Sequence, residues 1–534
     1  MRTPTTAGAR LAAGMLACVA LLAGCATASG DDPAAGSTEG LYVNGFVGDV
    51  EAPGPPGNGG TLTVGEYAEA RSLDPTTTIP NGATGGNALA AVYDTLMRYD
   101  ATTGEVVPGL AESLTSGDDR VWTLTLREGV TFSDGTPLNA RAVVDSLGYY
   151  MRNRGFQTQV LAGNIADMAP RGDREVVFTL NKPWPAFPTQ FAGGPGMVMA
   201  PAAYRDPAAF EPIGAGPFVL DSYKPAEELL LKARTDYWDG APHLDTLRFV
   251  FLADDQARLD SLEAGEIDTA YLRGPEAVET ARAAGHPGSM SIIGGGTTLM
   301  VNNREGRPGA DVRVRQAINH AIDRRLWMQR TNGDHGLPTS GIVPEAWESS
   351  TGPVPDVYDP EKARQLLDAA KADGYDGRIS YIGQSDRQSQ AGAVTVQGML
   401  EQVGFQVETE LLRSVTDQTN RVFVEGSYDL ATAGLSLGEE NPYGRLATGL
   451  DSESPSNASG YVNPQMDALI ANLQKAGSPE QKGEVLASIN TLWQETVPMI
   501  SLASGAVFYP WGEGVHGLVP TAESIVLFHD AWKE

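Results

Sequence analysis

Residues 121–137 read Val-Trp-Thr-Leu-Thr-Leu-Arg-Glu-Gly-Val-Thr-Phe-Ser-Asp-Gly-Thr-Pro. The first part, 121–127, alternates polar and apolar residues with a period of two, which is typical of a half-buried strand. One face of that strand would carry Trp122, Leu124 and Leu126. After Glu128-Gly129 the pattern resumes at 130–132 and stops at Asp134-Gly135, so we predict a β-hairpin here.

Other segments alternate between strand and helix patterns. Residues 61–64 predict a short strand, and 311–330 predict one helix with Asp311 as its N-cap. Its apolar stripe would contain Val314, Ala317, Ile318, Ala321 and Ile322. Residues 359–374 predict a helix with Pro360 at its first position, and Ser478 begins a capping box for a helix toward Val497. The whole pattern indicates an α/β protein.

Composition excludes several classes of protein. The chain has 534 residues, 41% hydrophobic and 20% charged, which is enough apolar material for packed cores. Acidic residues outnumber basic ones, 67 to 38, and a net charge of -29 argues against nucleic acid as a partner. Both cysteines, Cys18 and Cys25, lie in the first 25 residues, so the body has no disulfide framework, thiolate metal site or catalytic thiol.

The N-terminus predicts export. Arg2 and Arg10 give a positively charged segment that precedes an apolar run at 11–22. The run is shorter than the roughly 20 residues of a membrane-spanning helix but has the length typical of a signal peptide. It ends in Leu-Ala-Gly-Cys25, which resembles a bacterial lipobox with Cys25 as the lipidated residue. The alternative is an ordinary secretory signal with a chance cysteine. We therefore expect a signal peptide at 1–24 and lipid attachment at Cys25.

The next segment, residues 25–60, is rich in small and turn-forming residues and predicts a flexible tether. Residues 41–47, Leu-Tyr-Val-Asn-Gly-Phe-Val, are too apolar for a pure linker. We predict that they pack on the body as a short strand.

A series of collinear blocks resembles the solute-binding proteins of ABC importers in the peptide and nickel class, extracellular solute-binding protein family 5. The blocks stand at 73–75 (Leu-Asp-Pro), 108–113, 126–137, 213–218, 236–245, 262–268, 314–323 and 358–367. Each block is short, but their shared order from about Gly60 to the C-terminus is specific.

The resemblance implies a two-lobed periplasmic-binding-protein-like fold, type II, cluster C, that closes on its ligand like a hinged trap. The implied parts are a first lobe at 61–300 with an inserted subdomain at about 77–210, a second lobe at 301–508 and a return segment at 509–534. The chain would cross between the lobes near 299–303 and 508–514.

The resemblance also implies ligand-binding residues. In relatives that grip extended peptides, an acidic residue upstream of Leu-Asp-Pro lies at the cleft, and Glu69 holds that position; a solvated surface carboxylate is the alternative. Arg71 could pair with Glu69 or with a ligand carboxylate, or lie on the surface. Asn302 and Asn303, at the first crossing, could bind ligand or hinge backbone.

The loop after 428–434 departs from the peptide-binding pattern. Relatives carry a Trp and then an Asp that pairs with the ligand's α-ammonium, whereas here Leu435 and Gly438 stand at those positions. Ser436, Glu439 and Glu440 complete the candidate loop. A buried ammonium needs a compensating charge, so one of the two glutamates could supply it, or the ligand is not a free-amine peptide.

We assign structural roles to two further sets of residues. The glycine-rich segment 187–199 could approach a ligand closely, but a turn that packs Phe187 and Phe191 is favoured. We assign five aromatic residues to core packing: Tyr93, Trp184, Trp238, Trp327 and Trp493.

Motifs of metal-dependent proteases and of P-loop NTPases are missing from the sequence. The six histidines form no HxxxH or HExxH pair, and GxxxxGK[ST] does not occur. Gly294-Gly-Gly296 lacks the GxGxxG spacing and predicts a turn. We propose no catalytic residue, no cofactor and no metal site, although a carboxylate pair for glycoside hydrolysis could hide among so many acids.

The sequence therefore favours an exported lipoprotein, anchored on the extracytoplasmic face through Cys25. It would be a monomer that captures a small molecule or peptide and delivers it to ABC permease transmembrane subunits. The alternatives are a surface receptor that senses a solute without import and a wall-associated hydrolase.

Overall fold

The computed structural model describes residues 40–206 and 209–534. The signal peptide predicted at 1–24 and the lipid site predicted at Cys25 lie outside the described residues. The described chain is a mixed α/β structure, as predicted. Its helices are Gly86–Tyr93, Ala140–Arg152, Thr158–Asn164, Asp255–Glu263, Pro275–Ala283, Val312–Ala321, Arg324–Asn332, Pro360–Ala372, Arg387–Val403, Val415–Thr419, Pro442–Gly449, Pro464–Lys475 and Pro479–Thr496.

Three larger sheets organise the strands. In spatial order, one contains Thr269–Ala270, Thr61–Glu66, Thr246–Phe251, Glu228–Ala233 and Phe218–Lys224. The second contains Leu337–Pro338, Met499–Pro510, Gly288–Val301, Leu430–Ala433, Arg378–Gln384 and Gln406–Leu412, with Gly45–Val47 paired to Gly288–Val301. The third contains Ala111–Ser116, Val121–Leu126, Glu175–Leu180 and Ile165–Arg171. Short two-stranded pairs join Met97–Asp100 to Glu105–Pro108, Val515–His516 to Trp532–Lys533, and Val519–Pro520 to Val526–Leu527.

The strand Val121–Leu126 has the predicted period, but the predicted hairpin is wrong. Trp122, Leu124 and Leu126 are all buried on one face. The strand pairs on its two edges with Ala111–Ser116 and Glu175–Leu180, so no edge remains for 130–132. Thr131 instead forms a single bridge to Pro137 around the Asp134-Gly135 turn.

The region 311–330 forms two helices where one was predicted. Asp311 caps the first, Val312–Ala321, by accepting from the N–H of Arg313. Ile322 is extended, and Asp323 caps the second helix, Arg324–Asn332, by accepting from the N–H of Leu326. The five predicted apolar residues are nevertheless all buried, because the break comes at the end of the stripe.

Local capping signals hold elsewhere. Asp359 accepts from the N–H of Lys362, Pro360 starts the helix Pro360–Ala372, and Gly374 has a φ of 106° just beyond its end. Ser478 caps Pro479–Thr496 in the same way. Of the five aromatic residues assigned to packing, four are buried and Trp238 is half-buried. Phe187 and Phe191 are also buried.

A long antiparallel ribbon joins two apolar cores. Gly288–Val301 pairs with Met499–Pro510 along nearly their whole length, from Gly288 opposite Pro510 to Met300 opposite Met499. Val507 and Tyr509 pack in the core of the strand Thr61–Glu66, whereas Leu299 and Ile500 pack with the helix Val312–Ala321. The predicted crossing segments, 299–303 and 508–514, lie at the two ends of this ribbon. The lobe boundaries and the crossing points stay predictions.

The glycine run at 294–296 is not the predicted turn. It is a bulge inside the strand Gly288–Val301, where the register to Met499–Pro510 shifts. A Cβ on Gly296 would come within 2.2 Å of the Gly505 backbone nitrogen, and one on Gly294 within 2.3 Å of the Ile342 carbonyl oxygen. Glycine is required here because neighbouring backbone occupies the space of a side chain.

Candidate functional site

A cavity of about 1020 Å³ lies beside the ribbon. Its walls come from segments that are far apart in sequence and that belong to different cores. They include residues 42–45, Tyr67, Tyr99, 101–104, Trp184, Tyr271, Arg273, 290–293, 348–349, 438–443, Arg445, 476–479, Lys482 and 523–524. Protein pockets for small molecules typically measure about 300–1,000 Å³, so this one suits a solute of short-peptide size.

The loop after the strand Leu430–Ala433 is fixed by its backbone. Leu437 donates to and accepts from Gly294, at 2.8 and 2.9 Å, and its side chain is fully buried. Ser436, next to it, has a φ of 53°, a left-handed conformation that costs a non-glycine residue free energy. This arrangement turns Gly438, Glu439 and Glu440 toward the cavity.

The carboxylate of Glu439 is bound by the protein itself. Its Oε1 accepts from the backbone N–H and the hydroxyl of Ser349, both at 2.8 Å, and its Oε2 accepts from the Asn44 amide at 2.9 Å. Its backbone carbonyl accepts from the ammonium of Lys482. Glu439 therefore adds negative charge to the cavity wall, but both of its carboxylate oxygens already accept hydrogen bonds from the protein.

Glu440 lies in a different environment. Its Oε1 accepts from the backbone N–H of Glu523 at 2.9 Å, and the Glu523 carboxylate pairs with Arg445 at 3.2 Å. Burial, and then the negative charge of Glu523, raises the pKa of the Glu440 carboxyl above its ordinary value. A cation placed beside Glu440 would relieve this repulsion.

Two cationic side chains complete the site. Lys482 lies near Glu439 and Glu440, and burial lowers the pKa of its ammonium against the attraction of these acids. The guanidinium of Arg273 lies 4.0 Å from the centre of the Tyr67 ring, a cation–π contact. Its donors have no hydrogen-bond partner within residues 40–206 and 209–534, so they can meet an anionic group.

The structure brings together part of the predicted site. Ser436, Gly438, Glu439 and Glu440 line the cavity. Leu435 does not line it; its side chain is buried in an apolar core.

The other predicted residues are placed as follows. The Glu69 carboxylate accepts from the Tyr223 hydroxyl at 2.8 Å and the Ala226 N–H at 2.7 Å, and Arg71 is exposed. Asn302 donates to the carbonyls of Gly426 and Tyr428, and Asn303 donates to those of Val301 and Pro498. All four lie outside the cavity lining, and a ligand role for them stays a prediction.

Sequence reasoning missed several lining residues. Arg445 follows the loop by one helical turn, so helical spacing in Pro442–Gly449 could have suggested it. Glu523 and Arg273 carried no such signal. Glu523 reaches the site because it and Ser524 both have positive φ, 58° and 55°, a conformation that sequence patterns rarely reveal for these residue types.

Two further features, a metal-binding cluster and a membrane-spanning helix, are absent from the part of the chain that the structure describes. There, no three His, Cys, Asp or Glu side chains are grouped so as to hold a metal ion. Among the same residues, no helix has the length and apolarity to cross a bilayer.

The α/β fold, with a cavity between its cores, matches the two-lobed fold of periplasmic binding proteins. The family model described as "Bacterial extracellular solute-binding proteins, family 5 Middle" matches residues 105–457. The chain therefore belongs to family 5 of the bacterial extracellular solute-binding proteins. Members of this family bind peptides or small ligands outside the cytoplasm and work with ABC permeases.

Known proteins agree with this assignment. The glutathione-binding protein GsiB of Escherichia coli K12 is 28% identical over 415 residues, 73% of this chain and 80% of the relative. The murein tripeptide-binding protein MppA of Escherichia coli superposes with a TM-score of 0.74 at 21% identity, covering 91% of this chain and 99% of that one. DppA of Helicobacter pylori, in complex with the peptide STSA, gives a TM-score of 0.73 at 23% identity, covering 89% and 98%. These two structures confirm the predicted fold.

Proposed function

We propose that this protein is a lipid-anchored receptor that captures a short peptide or peptide-like solute in the cavity and delivers it, chemically unchanged, to an ABC importer. One observation carries the proposal: the same cavity is lined by a buried carboxyl group that is repelled by a neighbouring carboxylate and by a guanidinium whose hydrogen-bond donors are available to a ligand. Glu440 offers a carboxylate whose pKa is raised. Arg273 offers a guanidinium that stacks on Tyr67 and has no hydrogen-bond partner among the residues that the structure describes.

A zwitterion satisfies both groups. An ammonium beside Glu440 would gain a charge-assisted hydrogen bond and reduce the repulsion from Glu523. A ligand carboxylate beside Arg273 would gain a bidentate contact of the kind that guanidinium favours. The half-buried rings of Tyr67 and Tyr99 line the cavity and suit the apolar parts of such a solute.

Glutathione is the first solute to test, because the curated relatives are named for binding it. Isothermal titration calorimetry should show binding to the wild-type protein and weaker binding to both Glu440→Gln and Arg273→Gln. Arg325→Gln, at an exposed arginine outside the cavity lining, is the matched control. Equal affinities for all four proteins would overturn the assignment of these two groups.

Delivery and chemistry need separate tests. Deletion of the gene should abolish uptake of the labelled ligand, and a receptor that only senses the solute would leave uptake intact. Mass spectrometry should recover the bound ligand unaltered, whereas a hydrolase would return a product.

The anchor is tested by labelling cells with a radioactive fatty acid. The wild-type protein should incorporate label, and Cys25→Ser should not. Incorporation by neither protein would place the receptor outside the class of lipoproteins.

A further inference from the structure

One wall of the cavity comes from residues that precede the strand Thr61–Glu66. Residues 41–47, here called the N-terminal strap, lie before Thr61–Glu66, and Tyr42, Val43, Asn44 and Gly45 all line the cavity. The family model begins only at residue 105. The strap is therefore a part of the site that the family assignment does not describe.

The strap is held at both of its ends. Gly45–Val47 pairs with Gly288–Met290 of the ribbon, and the buried Tyr42 donates to Oε1 of Glu279 at 2.7 Å. The guanidinium of Arg282 donates to the carbonyls of Leu41 and Gly40, at 3.0 and 3.1 Å. These contacts fix Asn44, which lies between them.

The Asn44 side chain bridges two elements of the site. Its Oδ1 accepts from the backbone N–H of Ile292 at 2.6 Å, and its Nδ2 donates to Oε2 of Glu439 at 2.9 Å. The other oxygen of Glu439 is held by Ser349. Removing the amide would leave one carboxylate oxygen of Glu439 without its protein donor and would free the Ile292 N–H.

We propose that the N-terminal strap is a working part of the ligand site and that Asn44 is a positioning residue for it. Asn44 ties the Glu439 carboxylate to the ribbon and so sets the orientation in which the adjacent Glu440 faces the cavity. This inference rests on the proposed function for its ligand, but not for the coupling between strap and loop.

The coupling is tested first in the ligand-free, full-length protein by hydrogen–deuterium exchange. Asn44→Ala should accelerate exchange of the Ile292 and Ser349 amides by about tenfold or more. Ile292 loses its acceptor, and the Glu439 carboxylate that accepts from Ser349 loses the donor that fixes its position. Asn44→Asp keeps the acceptor for Ile292 but cannot donate to Glu439 when ionised, so only the Ser349 amide should be accelerated. Asn58→Ala, at an exposed asparagine that pairs with His243, is the matched control and should change neither amide.

Glutathione titration of the same four proteins supplies the second measurement. Wild type and Asn58→Ala should bind alike, and Asn44→Asp should bind about tenfold more weakly although its Ile292 amide stays protected. If the strap were only structural, weaker glutathione binding by Asn44→Asp would be accompanied by faster exchange of the Ile292 amide. Unchanged exchange in both Asn44 variants would overturn the strap proposal. Accelerated exchange without glutathione binding by any of the proteins would support the strap and overturn glutathione as the solute.

Discussion

The guanidinium of Arg445 lies 3.2 Å from the carboxylate of Glu523, and this ion pair joins two cores of the molecule. Leu446, next to Arg445, packs in the core of the helices Pro464–Lys475 and Pro479–Thr496, whereas Ile525 packs with the strand Thr61–Glu66. Both charged side chains are mostly buried, 22% and 18% exposed, so solvent screens the pair less than it screens a surface pair. The contact stabilises the arrangement of the two cores that this structure shows on either side of the cavity.

Arg445→Gln should therefore favour a more open protein. We expect a larger radius of gyration in small-angle scattering of the ligand-free protein, because the closed state loses a contact that the open state does not make. Arg141→Gln, which breaks the surface pair with Asp145, is the control and should leave the radius unchanged. Identical scattering from Arg445→Gln and wild type would show that the ion pair does not bias closure.

Glu440→Gln should have opposite effects on stability and on binding. The raised pKa of Glu440 means that ionisation destabilises the ligand-free fold, so the neutral amide should raise its melting temperature near pH 8. The same change removes the charge that a ligand cation requires, so affinity should fall. Glu345→Gln, at an exposed glutamate outside the lining, should change neither quantity. A fall in both melting temperature and affinity would contradict the assigned repulsion with Glu523.

Stability should depend on pH through Glu66. Burial raises the pKa of this carboxyl from 4.5 to about 7, although the hydrogen bond from Asn87 and the charge of Arg258 act in the opposite direction. A raised pKa in the folded state means that the stabilisation is complete below pH 4.5 and is lost as the pH rises through 7. The loss amounts to about 3 kcal/mol.

Glu66→Gln should remove that part of the pH dependence. Urea unfolding of wild type and variant between pH 4.5 and 8 would show curves that diverge as Glu66 ionises. Glu484→Gln, on the exposed face of a helix, serves as the control. Parallel curves for Glu66→Gln and wild type would mean that Glu66 titrates alike in both states.

Two glycine substitutions should change stability in opposite directions. Gly296→Ala places a Cβ 2.2 Å from the Gly505 nitrogen, so the ribbon must shift, at a cost of about 1–3 kcal/mol. Gly398→Ala, inside the helix Arg387–Val403, has no atom within 4 Å of the new Cβ and should stabilise by about 0.5–1 kcal/mol. Thermal unfolding measures both, and a stabilised Gly296→Ala would refute the close approach of the two strands.

Sequence patterns predicted the local features of the fold well. The caps at Asp311 and Asp359 and the buried face of Val121–Leu126 depend only on neighbouring residues, and all three are present. The hairpin prediction at 121–132 failed because the strand Val121–Leu126 pairs with Ala111–Ser116 and Glu175–Leu180 and not with the residues that follow it. The prediction of one helix at 311–330 failed for a local reason. Asp323 caps a second helix after the break at Ile322, and the continuous apolar spacing concealed this break.

The site was predictable only where one loop supplies it. Ser436, Gly438, Glu439 and Glu440 follow the segment 428–434, which the resemblance places before a ligand-binding loop, so their place in the cavity could be anticipated. Arg273, Glu523 and Asn44 reach the same cavity from three distant segments, and no spacing in the sequence relates them. The amide of Asn302 holds the backbone at Gly426 and Tyr428, as one of the two predicted alternatives allows, and its role toward a ligand stays a prediction.

The central claim is that the cavity holds a small solute without changing its bonds. Native mass spectrometry of the full-length protein, mixed with an extract of small solutes and then buffer-exchanged, tests it most directly. The account predicts a one-to-one adduct that is weakened in Glu440→Gln and that leaves on denaturation with its mass unaltered. Failure of the wild-type protein to retain any solute from the extract, or release of a chemically altered product, would contradict it.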